Sequence, residues 1–145
     1  MEKLKSQLCE LLWKEKCCIL YKNNNRDYEL RILDKKIIQH PYLLRCLIYI
    51  LKQILKQHQF NCILSTDNKC NSINSIIGYE TGIPIYSSQY EIKDLSPLKI
   101  DFSIHKYSKT DNDYTTFTIF NMIPLKVKDS SDNLHSLLHI YELLD

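Results

Sequence analysis

The chain has 145 residues, of which 44% are hydrophobic and 25% charged, a composition typical of a folded protein and not of a disordered one. This length fits one domain, and a formal net charge of +2 is too small to indicate nucleic acid or an anionic membrane as a partner. No apolar run reaches the roughly 18 residues of a membrane helix, and residues 1–15 lack the apolar core of a signal peptide, so we expect a cytoplasmic protein with no membrane contact.

Six cysteines and five histidines are the residues that could form disulfides or bind a metal. The cysteines are scattered without a CxxC pair, so reduced and mostly buried thiols are expected in a chain without a secretion signal. His135 and His139 lie four residues apart on one face of a predicted helix, but no glutamate follows His135 as an HExxH motif requires. The sequence therefore predicts no metal and no cofactor.

In chain order, the first forty residues predict a helix and then a β-hairpin. Leucines recur at helical spacing within residues 3–13. The β-rich runs 17–21 and 28–33 flank the tripeptide 23–25, three asparagines that favour a turn because asparagine tolerates left-handed backbone.

Residues 41–94 predict a helix followed by the βαβ unit of a parallel sheet. Pro41 begins a helix with a broad apolar face, and a short apolar strand follows at residues 62–64. The small, polar segment Ser65–Cys70 leads into a helix with isoleucines at helical spacing, which Gly82 ends before a strand at Ile83–Tyr86. Because ligands bind at the carboxyl ends of parallel strands, we expect a site at the Ser65–Cys70 loop and after Tyr86.

The remaining chain predicts two more strands and a last helix. The strands are expected at residues 100–105 and 114–123, within a polar and irregular stretch. Ser130 or Ser131 is predicted to cap the last helix, whose apolar residues are Leu134, Leu137, Leu138, Tyr141 and Leu144. Strands 62–64, 83–86 and 117–123 are expected to be neighbours in the sheet.

Several short stretches carry a family resemblance, and they occur in the family's order. The segment 30–51 (LRILDKKIIQHPYLLRCLIYIL) is similar to a "DLR…S.PELL" segment, and Lys22 stands at the lysine of an "LKSG" turn. The segment 65–72 (STDNKCNS) is similar to a "GPAYKGIP" loop, and Glu91–Asp94 to the end of an "RKExKD" motif. Together these stretches resemble orotate phosphoribosyltransferase, a type I phosphoribosyltransferase that also forms one half of UMP synthase.

The resemblance implies an α/β fold with a parallel, Rossmann-like sheet of the type I phosphoribosyltransferase kind, preceded by an N-terminal helix and hairpin. A single domain is expected over residues 1–145. Within it, residues 1–40 would form the N-terminal helix and hairpin, and residues 41–145 the α/β core.

The family's ribose-phosphate motif is degenerate in this chain. Family enzymes end a strand with two adjacent aspartates and a threonine- and glycine-rich loop, which hold the ribose hydroxyls and the 5′-phosphate of phosphoribosyl pyrophosphate. Phe120 and Asn121 stand at the corresponding positions, and Pro124 in the loop lacks an N–H donor. The resemblance therefore predicts no catalytic residues.

The pyrophosphate loop and the charged motif also depart from the family's pattern. Ser65 and Cys70 replace glycines and are expected to crowd the loop. Gln89 and Tyr90 replace an arginine and a lysine. Both departures indicate that phosphoribosyl transfer is lost.

Three lysines remain at positions that surround the phosphate pocket of the resembled fold, namely Lys22, Lys69 and Lys93. They are either ordinary solvated lysines or a residual site that binds phosphate or pyrophosphate weakly.

The sequence thus predicts a catalytically inactive phosphoribosyltransferase-like protein that acts as a protein-interaction or regulatory module with an unidentified protein partner. A phosphate- or nucleotide-binding regulator and an active enzyme with an altered substrate are the alternatives. The family's active sites are completed across a dimer interface, which implies a homodimer. Abundant Lys, Asn, Ile and Tyr with only two glycines indicate an AT-rich genome, such as that of a large DNA virus.

Overall fold

The computed structural model describes residues 2–22, 24–25, 28–105, 114–123 and 134–144. The chain divides into two compact units, Met1–Leu51 and Lys52–Asp145.

The first unit contains helices and one antiparallel hairpin. Its elements are α1 (Glu2–Lys14), β1 (Cys18–Lys22), β2 (Tyr28–Ile32), α2 (Asp34–Gln39) and α3 (Pro41–Leu55), the last of which extends into the second unit. Cys18 lies opposite Ile32 and Lys22 opposite Tyr28. The predicted helix and hairpin are confirmed, whereas the sequence did not predict α2.

Apolar side chains from all three helices form the interior of the first unit. Leu8 and Leu12 of α1, Ile37 of α2, and Leu43 and Leu47 of α3 each expose at most 2% of their surface. Burying a leucine or isoleucine stabilises a fold by about 1.5 to 3 kcal/mol. These side chains account for the helical spacing of leucines in the sequence.

The second unit is a five-stranded parallel sheet with helices. Its strands lie in the order β4-β3-β5-β6-β7, and every neighbouring pair is parallel. Its elements are β3 (Cys62–Leu64), α4 (Asn71–Thr81), β4 (Ile85–Tyr86), β5 (Pro97–Ile104), β6 (Thr115–Asn121), β7 (Leu134–His139) and α5 (Ile140–Leu144), with short 3-10 turns at Asn68–Cys70 and Gln89–Ile92. The predicted α/β fold with a parallel sheet is confirmed.

The βαβ unit β3-α4-β4 is built as its sequence predicts. Ile73 and Ile77 are fully buried, and Gly82 ends α4 with a left-handed backbone, φ 73°. The short turn after the helix then places β4 beside β3, with Ile63 paired to Ile85.

The predicted sheet order is wrong in one respect. Residues 62–64 and 85–86 are neighbours, but β5 lies between β3 and β6. This strand begins at Pro97 rather than at residue 100, because a proline, which has no N–H to donate, is compatible with the first residue of a strand.

The prediction of one long C-terminal helix is also wrong. Leu134–His139 is strand β7, paired with β6, and only Ile140–Leu144 is helical. Leu137 and Leu138 are adjacent and both fully buried, which suits a strand covered on both faces. The proposed caps Ser130 and Ser131 lie outside the described residues.

Candidate functional site

The strand order identifies one crevice as the candidate site. After β3 the chain places β4 on one side of that strand and β5 on the other. In open parallel sheets, ligands bind outside the carboxyl ends of the strands at such a switch point. The site is therefore the crevice beyond Leu64, between the Ser65–Cys70 loop and the second half of β5.

Side chains of the protein itself occupy this crevice. β3 ends at Leu64, paired with Lys99, and β5 continues to Ile104 without β3 beside it. Asn74 Nδ2 donates to the Ile100 carbonyl at 3.3 Å, and the Phe102 amide donates to Asp67 Oδ2 at 2.8 Å. These side chains supply partners that a longer β3 would have supplied.

A buried polar network supports the loop. Ser65 Oγ donates to Asn71 Oδ1 and accepts from Asn74 Nδ2, both at 2.8 Å, and the Cys70 thiol donates to Asn74 Oδ1 at 3.6 Å. Asn74 and Cys70 are fully buried, and Ser65 is 5% exposed. Ser65 and Cys70, which the sequence predicts to crowd the loop, instead lie in the interior and hold the loop on α4.

The Cys70 thiol is expected to be unreactive because it stays protonated. Burial, reinforced by the charges of Asp67 and Asp101, raises the pKa of this thiol well above its usual range. The thiolate is the reactive form of cysteine, so this residue serves the packing of the loop. Among the six cysteines, four are buried, as the sequence predicts.

Two aspartates beside the crevice contact backbone amides or a lysine of the protein. Asp67 Oδ1 accepts from the Lys69 amide at 3.1 Å, so both of its oxygens bind backbone amides. Asp101 Oδ2 lies 3.4 Å from Lys99 Nζ, and its other oxygen is buried without a hydrogen-bond partner among the described residues. Burial raises the pKa of Asp101, opposed by Lys99 and reinforced by Asp67.

The three predicted lysines fall in different units. Lys69 and Lys93 are exposed and follow the carboxyl ends of β3 and β4, which are parallel neighbours. Lys22 ends β1 in the first unit, where its Nζ lies 6.0 Å from the centroid of the Tyr28 ring. A pocket formed by all three lysines stays a prediction.

Phe120 and Asn121 are the last two residues of β6, and both are buried. Phe120 is fully buried, with its ring centroid 5.1 Å from that of Phe102, and Asn121 Oδ1 accepts from the Ile123 amide at 3.0 Å. Phe120 carries no hydrogen-bonding group, and β5 separates β6 from β3, so a degenerate ribose-phosphate motif at these positions stays a prediction. Pro124 lies outside the described residues.

Sequence reasoning missed the residues that fill the crevice. Asp67 carries a local signal, because an aspartate that precedes a polar turn commonly accepts the amide two residues on. Asp101 carries another, as a carboxylate among the apolar residues of a strand. Asn74 offers no such signal, since its partners are set by the tertiary fold.

The histidines that the sequence weighed as metal ligands have other contacts. His135 lies in β7, where its ring meets that of His58 edge-on at 4.7 Å, and His139 stacks on Tyr141 at 5.2 Å. In the part of the chain that the structure describes, no group of three or more His, Cys, Asp or Glu side chains could hold a metal ion. None of the helices in that part is long and apolar enough to cross a membrane.

The five-stranded parallel sheet with a preceding helix and hairpin is the fold of type I phosphoribosyltransferases. No family model and no curated protein matches the sequence. Among solved structures, Leishmania donovani UMP synthase superposes with a TM-score of 0.71 at 12% identity, over 96% of this chain and 36% of that chain.

Two further structures match over nearly their whole length. Orotate phosphoribosyltransferase from Aeropyrum pernix has a TM-score of 0.67 at 9% identity, covering 94% of this chain and 96% of that chain. Adenine phosphoribosyltransferase from Thermoanaerobacter pseudethanolicus has a TM-score of 0.64 at 8% identity, covering 90% and 99%. At these identities the likeness establishes the fold alone. The fold expected from the resemblance to orotate phosphoribosyltransferase is therefore confirmed.

Proposed function

We propose that this chain is a catalytically inactive protein with the phosphoribosyltransferase fold, which acts as a protein-interaction or regulatory module. The supporting observation is that neither aspartate beside the crevice presents an exposed, unpaired oxygen to a ligand. Asp67 accepts two backbone amides, and Asp101 faces Lys99. A carboxylate that holds a ribose diol needs accessible oxygens, whereas both oxygens of Asp67 accept backbone amides and the unpaired oxygen of Asp101 is buried.

A direct assay tests the loss of catalysis. The purified protein is incubated with phosphoribosyl pyrophosphate, magnesium and either orotate or adenine, and nucleotide formation is followed. We expect no turnover above background with either base. Turnover that disappears in a Lys93→Ala variant but persists in Lys56→Ala, an exposed lysine after α3, would establish an active enzyme with an altered substrate instead.

Exposed aromatic residues on α3 support the interaction role. Tyr42 and Tyr49 are 62% and 54% exposed, and Tyr42 borders a groove of about 300 Å³ between α1 and α3. Tyrosine is enriched at protein interfaces because it offers a large contact area and one hydrogen-bonding group. The partner in this proposal is a second copy of the chain or an unidentified protein of the host. Composition favours an AT-rich source genome for this chain, such as that of a large DNA virus.

Light scattering and affinity capture separate these partners. A mass of two chains that persists on dilution supports the homodimer. Capture from the native host is compared between wild type and a Tyr42→Ser/Tyr49→Ser variant, with Tyr79→Ser as a control because Tyr79 is also exposed but lies on α4. A partner that both variants retain equally would exclude this surface.

The second candidate is a phosphate- or nucleotide-binding regulator. Lys69 and Lys93 are both exposed and follow neighbouring parallel strands, which favours a shared anion. A ligand at a hundredfold its dissociation constant stabilises a fold by about 2.7 kcal/mol. This candidate, unlike the first, predicts a thermal shift with pyrophosphate that fades with salt and is lost in Lys69→Ala/Lys93→Ala but not in Lys56→Ala. Equal, negligible shifts in all three proteins would identify ordinary surface lysines.

A further inference from the structure

One carboxylate ties together two segments that are far apart in the sequence. Asp67 Oδ1 accepts from the Lys69 amide inside its own loop, and Asp67 Oδ2 accepts from the Phe102 amide of β5. Capping the 3-10 turn requires only the first of these bonds. The second bond closes the loop onto β5 at the switch point.

Without this carboxylate, two backbone amides would be available to an anion at the carboxyl edge of the sheet. Backbone N–H groups that converge at a loop are the donors that phosphate sites use. Phe102 is 1% exposed, so its amide depends on a partner from the protein or on a ligand that enters the crevice. Asp67 fills this role from within the chain.

We propose that Asp67 is an internal anion that latches the Ser65–Cys70 loop onto β5 and keeps external anions out of the crevice. The carboxylate occupies the donors, and its negative charge repels a second anion. The charge of Asp67 helps to raise the pKa of Asp101, so a charged Asp101 would add to the repulsion. The loop is held in place from the interior by Ser65 and Asn74, so the latch can be removed without removing this support.

This inference goes beyond the loss of catalysis and does not depend on it, because it concerns binding and not turnover; it competes with the anion-binding candidate at Lys69 and Lys93. It predicts a gain of binding when the latch is removed. The variants are Asp67→Ala, which removes both acceptors, and Asp67→Asn, which removes the charge but keeps one acceptor. Asp94→Ala is the matched control, since Asp94 is an exposed aspartate of the same unit.

The probe is inorganic pyrophosphate at millimolar concentration, followed by the amide resonances of Lys69 and Phe102. In Asp67→Ala, both amides should shift in a saturable manner, with binding at least about tenfold tighter than in wild type, as expected for one charge-assisted hydrogen bond. Wild type and Asp94→Ala should show no response at these two amides. Asp67→Asn should bind more weakly than Asp67→Ala and more tightly than wild type.

Two results would overturn the latch. The first is a folded Asp67→Ala or Asp67→Asn protein whose Lys69 and Phe102 amides do not respond to pyrophosphate. The second is a wild type that responds as strongly as the variants. If Asp67→Ala does not fold, Asp67→Asn decides the question, because it retains a hydrogen-bonding side chain at the same position.

Discussion

At the residue scale, the buried side chain of Asn74 makes hydrogen bonds that stabilise the fold. Its amide satisfies Ser65, Cys70 and the carbonyl of Ile100 at once. Asn74→Leu keeps the volume but leaves the Ile100 carbonyl and the weakly donating Cys70 thiol without this partner, while Ser65 keeps Asn71; one unsatisfied buried group costs about 1 to 3 kcal/mol. We expect urea denaturation to show a loss of about 2 to 3 kcal/mol. Asn68→Ala, at an exposed position of the same loop, should be nearly neutral, and an equally stable Asn74→Leu would contradict the role of the network.

At Asp101, in contrast to Asn74, we expect a substitution to raise the stability of the fold. Because burial raises the pKa of Asp101, the folded protein binds this proton more readily than the unfolded chain, whose value is 3.8. Ionised Asp101 therefore lowers stability above its folded pKa, and stability is recovered as the pH falls towards 3.8. Asp101→Asn should be more stable than wild type in urea at pH 7, and the difference should shrink near pH 4. A less stable variant at pH 7 would show that the pairing with Lys99 outweighs the burial.

At the scale of elements, the packing of α4 on β4 depends on the two glycines for different reasons. A Cβ on Gly78 would lie 2.5 Å from Ile85 Cδ1 and 2.8 Å from Cγ1, so the helix approaches the strand too closely for a side chain. Gly82 has open space around it, but its φ of 73° is unfavourable for other residues.

Substitutions at these glycines should therefore respond differently to a second change. Gly78→Ala is expected to cost about 1 to 3 kcal/mol from overpacking, and Gly82→Ala about 1 kcal/mol from backbone strain. Ile85→Val removes the Cδ1 atom that a Cβ on residue 78 would meet. It should therefore reduce the destabilisation caused by Gly78→Ala and leave that caused by Gly82→Ala unchanged. Double-mutant cycles in urea measure both effects. Strict additivity in both cycles would contradict the contact.

The elements also show what the sequence can and cannot predict. Helices α1, α3 and α4 have clear helical periodicity or a proline or glycine at an end, and all three were predicted. Residues 134–139 also place leucines at helical spacing, yet they form β7, because pairing with β6 overrides the local pattern. The six residues of α2 are too short to show periodicity.

At the scale of the whole molecule, the order of the helices and strands along the chain is enough to predict the fold. The residues of the candidate site can be identified only from the tertiary structure. The family resemblance follows the order of elements, and solved phosphoribosyltransferases superpose over most of this chain. The bond between Asp67 and Phe102, by contrast, joins residues on different strands and loops, and no local pattern encodes it. The sequence therefore located the Ser65–Cys70 loop but not the side chains that fill its crevice.

The pH dependence of global stability provides the last test, through His58. Burial, and then the neighbouring His135, lowers the pKa of His58 below its usual 6.5, so the unfolded chain binds this proton more readily than the folded protein. Stability should be full above pH 6.5 and fall as the pH drops through that value. His58→Gln should lose this part of the dependence in urea midpoints measured between pH 8 and pH 5, and His135→Gln should reduce it. His105→Gln, at an exposed histidine of the same unit, should follow wild type, and parallel profiles for wild type and His58→Gln would exclude His58 as the titrating group.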